Sequence, residues 1–236
     1  MKKLKSLTLL ILILAFVFVF IGWNYLPYWV SSDLSRKMGV DVSISYINLG
    51  PRKIGIFNIN IDNPSGYTLK QALDVKKLVS RAPITAYLKD NVVIDQIVLS
   101  NAYLGLEIKS PLDKTSNWTQ IMDQLKNSLN QTGGDSKNIL IKSLIVENLN
   151  IDLVVKSTSN KVKRIKPIQR MEFKNISSQG AFPASQLTQI IMKEVLKEVL
   201  SPENFSNMLK QTLENPVQGT QDVMNSIKSL FSFSDY

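Results

Sequence analysis

Cysteine and histidine are both absent from the 236 residues. Without cysteine there are no disulfides, no thiolate metal sites and no thiol nucleophile. Without histidine the commonest general base near neutral pH and the commonest transition-metal ligand are gone. Serine–histidine and zinc chemistry are thereby excluded, and only hydrolysis by carboxylates is left as an enzymatic class. No glycine loop of the P-loop or dinucleotide type is present either, so neither an enzymatic activity nor a cofactor is expected. What the chain does have is 44% apolar and 20% charged residues, enough for a packed core and too apolar for wholesale disorder. Its 28 Lys and Arg outnumber its 19 Asp and Glu, a net charge of +9. By charge alone that excess suits anionic lipid and nucleic acid equally.

Three of the cations, Lys2, Lys3 and Lys5, precede a run from Ser6 to Ser32 without one charge. Its centre, Leu7 to Ile21, is almost wholly Leu, Ile, Val and Phe, and with Gly22 to Leu26 it reaches the roughly 20 residues that cross a bilayer. Trp23, Tyr25, Tyr28 and Trp29 gather at the far end, where amphipathic rings favour the headgroup layer. Pro27 is expected to bend or end the helix there. The lysines favour a cytoplasmic N-terminus, with the remainder exported. A cleaved signal peptide is the competing reading, but the apolar run continues through bulky rings and has no Ala-x-Ala site. The expectation is a signal anchor over residues 1–32.

From Val40 to about Gly180 the apolar residues recur with the period of two that strands require. Strands are expected at Asp41–Ile47, Ile54–Ile61, Ala72–Val79 and Val92–Leu99, with Asn63-Pro64-Ser65-Gly66 as a turn. Ile84–Leu88 is readable as helix or strand. The stretch VIDQIVLSNAYLGLEIKS (residues 93–110) recurs as LIKSLIVENLNIDLVVKS (residues 140–157). Aligned without gaps, the copies share Ile94/Ile141, Asn101/Asn148, Leu106/Leu153, Lys109/Lys156 and Ser110/Ser157. Each reads as a hairpin, two strands hinged at an Asn-containing turn, and the recurrence implies one unit stacked on the other.

Between the copies, Ile121, Leu125 and Leu129 lie at helical spacing, with Ser116 or Asn117 as the cap and Gly133-Gly134 as the stop. Trp118 reads as a core anchor for that helix. Asp95, Glu107, Glu147 and Asp152 read as solvated strand-face charges. Lys161, Lys163, Arg164, Lys166 and Arg170 form a basic cluster with three readings. It suits a solvated loop or an anionic lipid surface; nucleic acid is disfavoured because no aromatic is interleaved for stacking. Phe173, Ile176 and Phe182 close the strand region. Beyond Pro183 the pattern turns helical: Met192, Val195, Leu196, Val199 and Leu200 form one stripe, and Ser201-Pro202-Glu203 starts another helix. These stripes suit either packing on the β layer or a lid and membrane contact.

The lysine-flanked anchor, the strand leading into Asn63-Pro64-Ser65-Gly66, the 94–108 unit and Ser116-Asn117-Trp118 occur here in one order and spacing. In these features the chain, to about Gly180, resembles the N-terminal region of AsmA-like proteins, relatives of the TamB and YhdP group of Gram-negative envelopes. The resemblance implies a periplasmic β structure anchored in the inner membrane, curled into an apolar groove that holds lipid acyl chains and serves outer-membrane biogenesis or phospholipid homeostasis. This chain departs from the long members in having two repeat copies and a helical C-terminal region, so one copy alone does not bridge the periplasm.

The fold expected is α+β. It comprises an N-terminal transmembrane helix, a curved, mainly antiparallel sheet forming an apolar groove (residues 33–182), and C-terminal helices (183–236). The groove candidates are Ile97, Leu99, Leu104, Leu106, Ile108, Leu144, Ile151 and Leu153. The partners expected are the inner membrane, phospholipid acyl chains and an envelope protein, with no nucleic acid. The alternative function is a membrane-tethered scaffold that docks a partner protein without binding lipid.

Overall fold

A computed structural model describes residue 22 and residues 24–110, 115–132, 138–156, 159–164 and 167–177. A first helix, α1 (24–38), runs through Pro27 rather than bending or ending at it. It stops instead at Gly39, whose φ of +67° lets its N–H reach Ser35 O at 2.9 Å, a left-handed cap that glycine adopts without a Cβ penalty. Ser35 Oγ then accepts the Val42 N–H at 2.8 Å, and Met38 is buried in the core, so helix and first strand form one corner.

Nine strands follow: β1 (Val42–Leu49), β2 (Lys53–Asp62), β3 (Gln71–Arg81), β4 (Asn91–Ile94), β5 (Gln96–Ser110), β6 (Thr115–Ser116), β7 (Asn138–Val155), β8 (Ser159–Arg164) and β9 (Ile168–Ser177). They build one sheet in which β1, β2, β3, β5 and β7 are successive neighbours and β9 lies beyond β7. Ile84–Leu88, undecided from sequence, is a 3-10 turn. The helix α2 (Asn117–Thr132) separates the two repeat copies.

The copies are not hairpins. Each is a long strand, and they lie side by side in parallel, each paired residue of β5 beside the one 47 positions later: Ile97 pairs with Leu144, Leu104 with Ile151, Ile108 with Val155. β4 pairs with the start of β7 in the same parallel register, Val92 with Ile139. Side chains repeat the offset. Asn148 Nδ2 donates to Asn101 Oδ1 at 3.1 Å, Asn138 Nδ2 to Asn91 Oδ1 at 2.8 Å, and Lys142 Nζ meets Asp95 at 2.7 Å.

The Asn expected to turn the chain creases it instead. Asn58, Asn101 and Asn148 have φ between 50° and 55°, a left-handed conformation that Asn tolerates better than most residues. One such residue bends a strand, whereas reversing it takes a two-residue turn. The crease crosses the sheet as a row of skipped pairings: Ser45, Asn58, Lys76, Asn101, Asn148 and Gln169 stand opposite one another and none enters the ladder. Each skipped residue also flips which parity faces in. In β5 the buried apolar side chains are Ile97 and Leu99 before the crease, and Ala102, Leu104, Leu106 and Ile108 after it. A second row, Asp95 between β4 and β5, Lys142 in β7 and Asn175 (φ 54°) in β9, repeats the device six residues before Asn101 and Asn148.

The expected fold class is therefore corrected. The sheet is curved but mixed, because stacking whole strands in register makes the β5–β7 and β4–β7 pairs parallel. Among the described residues no helix is long and apolar enough to cross a membrane. Leu7–Ile21 and the helices expected after Pro183 lie outside the described residues.

Candidate functional site

The eight groove candidates do share one face. Ile97, Leu99, Leu104, Leu106, Ile108, Leu144, Ile151 and Leu153 all point inward, and none is more than 5% exposed. They form one core with Trp118, Ile121, Met122 and Leu125 of α2 and with Met38 of α1. The apolar wall is present and already covered, so the open groove is corrected to a filled interior. A depression of about 590 Å³ opens at the β1–β2 turn beside Pro51, Arg52, Ala82 and Pro83. None of the eight lines it.

The polar centre of the molecule lies at the upper end of β5, where β3 has run out. There the side chain of Asn117 takes the place of a strand. Its Oδ1 accepts the Glu107 N–H at 3.0 Å, and its Nδ2 donates to Gly105 O at 2.8 Å and to Asn63 Oδ1 at 2.7 Å. Asn63 Nδ2 passes the chain on to Leu69 O at 2.7 Å, and Trp118 Nε1 also donates to Gly105 O, at 3.0 Å. Ser116, not Asn117, is the cap of α2: Thr119 N donates to Ser116 Oγ at 3.0 Å while Ser116 N donates to Thr119 Oγ1 at 2.8 Å, a reciprocal capping box.

Glu107 completes this knot and corrects the reading of it as a solvated strand-face charge. It is 0% exposed. Its Oε2 accepts the backbone N–H groups of Thr68 at 2.6 Å and Leu69 at 2.9 Å, closing the loop that begins at Asn63. Its Oε1 lies 3.1 Å from Lys156 Nζ. That contact is an ion pair without hydrogen-bond alignment, so Oε1 accepts no hydrogen bond among the described residues. Lys156 instead donates to Gly66 O at 2.9 Å, and its ammonium and that of Lys109 flank the Tyr67 ring, at 5.8 and 4.4 Å from the centroid. Burial, and then the charge of Glu107, raise the Tyr67 hydroxyl above its ordinary pKa. The sequence held one sign of this. At the position of Glu107 the second copy has Val154, so the site is not generically solvent-facing.

The other carboxylates divide. Asp152 is buried as well, gripped by Arg164 through Nε at 2.9 Å and Nη2 at 3.1 Å. Burial and the Asp152 charge push the neighbouring Tyr103 hydroxyl up to about 12. Glu147 is half-exposed and ion-paired with Arg170 at 3.2 Å, and Asp95 is exposed. Arg170 also meets Glu172 at 3.1 Å, which holds that carboxyl below its usual range, with smaller help from Ser143 and Lys174.

The expected basic surface is thus altered. Arg164 and Arg170 answer carboxylates of the same sheet rather than standing free for an anionic surface. Lys161 and Lys163 belong to β8, a strand where a loop was expected, and Lys166 lies outside the described residues. On its side away from β7, β9 has no strand neighbour among the described residues, and β1 is the other free edge. No group of three His, Cys, Asp or Glu among the described residues is placed to hold a metal. No protein-family model matches this chain, and no curated protein matches it.

Proposed function

We propose that this chain is a non-catalytic envelope protein of the AsmA-like kind, held at the inner membrane by its apolar N-terminal segment with its bulk in the periplasm. It works as a scaffold that docks an envelope partner protein and so supports upkeep of the outer membrane. The observation that carries the scaffold reading is the combination of a filled inner face with an edge at β9 that has no strand beyond it among the described residues. An edge strand offers unpaired N–H and C=O groups to an added strand, and pockets beside it read the partner's side chains. The family resemblance gains support from the contact between its two motifs: Asn63 and Asn117 meet at 2.7 Å, so the residues that carry the resemblance form one physical unit.

The test is site-specific photocrosslinking in cells, with the reactive residue at Gln169 or Lys174 on β9 or at Lys76 in mid-sheet. Both edge positions are expected to give the same discrete protein adduct and Lys76 none. Equal labelling at all three, or none at the edge, removes the scaffold reading. A second reading, lipid binding, draws on the unbroken hydrocarbon character of the inner face. An acyl chain would then occupy the place that Trp118, Ile121 and Leu125 fill, and phospholipid would copurify with the protein.

A further inference from the structure

The outward face of α1 is aromatic. Tyr25, Tyr28 and Trp29 are 56%, 67% and 61% exposed, and their spacing of i, i+3 and i+4 puts them on one side of the helix, away from the buried Pro27, Ser31 and Met38. Large rings with a polar tip, left in a patch, mark an interaction site. The chain itself indicates the occupant. The uncharged run from Ser6 ends at Ser32, and the first charged residue, Asp33, is met at once by Arg36 at 2.7 Å and Lys37 at 2.6 Å. Aromatics followed within one turn by a charged cluster reproduce the order of a headgroup layer and the water beyond it.

The same helix is not a loose stalk. Its last turn is bolted to the β layer by Ser35 Oγ to Val42 N at 2.8 Å, by Met38 in the core, and by Gly39, where an added Cβ would lie 3.3 Å from Gln124 of α2. The corner reaches the end of β2 as well, through Asp62 N to Asp41 O at 2.9 Å.

We propose that the Tyr25–Tyr28–Trp29 face lies in the lipid headgroup layer and, through this corner, holds the β layer in one fixed posture. The Asn63–Lys70 loop and the start of α2 then stand next to the membrane, and the Ile84–Leu88 turn points away from it. The proposal rests on the membrane location given above. Strand β1 alone separates the two ends by about 25 Å at ~3.3 Å per residue. The far end carries the most exposed apolar residue of the described chain, Leu88 at 80%.

A chain without cysteine takes single labels cleanly. The full chain is reconstituted in phosphatidylethanolamine–phosphatidylglycerol vesicles containing an acceptor-labelled lipid, with a donor dye on Trp29→Cys, Ser65→Cys or Leu88→Cys. Energy transfer is expected to fall in that order, with Ser65→Cys at least threefold above Leu88→Cys. Six Gly and Ser residues inserted between Gly39 and Val40 should bring those two together. Equal transfer from Ser65→Cys and Leu88→Cys without the insertion, or weak transfer from Trp29→Cys, overturns the posture while leaving membrane attachment intact. Failure of the chain to float with the vesicles removes the membrane location and the posture with it.

Discussion

Removing the Glu107 carboxylate tests whether the polar knot or the surrounding apolar wall holds the upper end of the sheet. Glu107→Ala leaves the Thr68 and Leu69 N–H groups without their acceptor and takes from Lys156 its carboxylate partner, leaving it the Gly66 carbonyl. At 3.1 Å the ion pair is worth about 5 kcal/mol of attraction at an effective dielectric near 20. Much of that is offset by desolvating the carboxylate, and Lys156, 30% exposed, is partly screened. Breaking such a pair from one side costs about 3–5 kcal/mol. Glu107→Gln keeps an acceptor for both N–H groups and loses only their charge assistance and the ion pair, about 1–2 kcal/mol. Lys156→Met should cost less than Glu107→Ala, because Oε2 keeps its two backbone donors, and the double variant should cost less than the sum of its singles. Urea unfolding of the full chain in detergent, followed by circular dichroism, reads these as shifts of the midpoint at unchanged slope. Equal effects of Ala and Gln, or both within about 0.5 kcal/mol of the parent as for an ordinary surface position, would return Glu107 to a solvated strand-face charge and refute the reasoning.

Three further outcomes follow from the geometry. Asn148→Ala should cost about 1–2 kcal/mol for holding φ near +53° with a Cβ. Asn148→Gly should cost less despite losing the 3.1 Å bond to Asn101, and the reverse order in urea unfolding would mean that the side-chain ladder rather than the crease sets the energy. Gly105→Ala would drive a Cβ into Gln71 O, a backbone atom that cannot give way cheaply. A loss of at least about 2–3 kcal/mol, or no folded protein, is expected, and a parent-like midpoint would contradict the close approach. Tyr103 titrates near 12 when folded and near 10 when unfolded. Above pH 10 the unfolded chain therefore binds fewer protons than the folded one, and stability falls as pH rises from about 10 through about 12. Ultraviolet titration should show late phenols, Tyr67, Tyr87 and Tyr103 all being raised, and Tyr103→Phe should remove one of them together with its part of the alkaline loss.

The strands were legible because alternation reports burial directly, and β1, β2 and β3 begin and end within a few residues of expectation. The repeat was legible too, since identical burial at a spacing of 47 demands similar side chains in both copies. What the sequence concealed was the direction of each copy. An Asn between two alternating runs marks a hairpin turn and a single-residue crease alike, and only the partner strand distinguishes them. The double flip of parity at Asp95 and Asn101 likewise made it impossible to name the inward face from one period, although the eight apolar candidates all proved to share it. Glu107 was hidden because the loop that buries it comes from residues 63–70, about 40 positions earlier, and no local pattern carries that information.

The central claim is that the inner face of this sheet is filled by the chain's own side chains. Native mass spectrometry of the detergent-released protein tests it most directly. The predicted result is the mass of the bare polypeptide, alone or with a protein partner, while Ile97→Asp, Leu104→Asp and Leu106→Asp abolish folding because each buries a charge in a closed core. Phospholipid retained in fixed proportion to the chain, and displaced by the same substitutions in a protein that still folds, would contradict it.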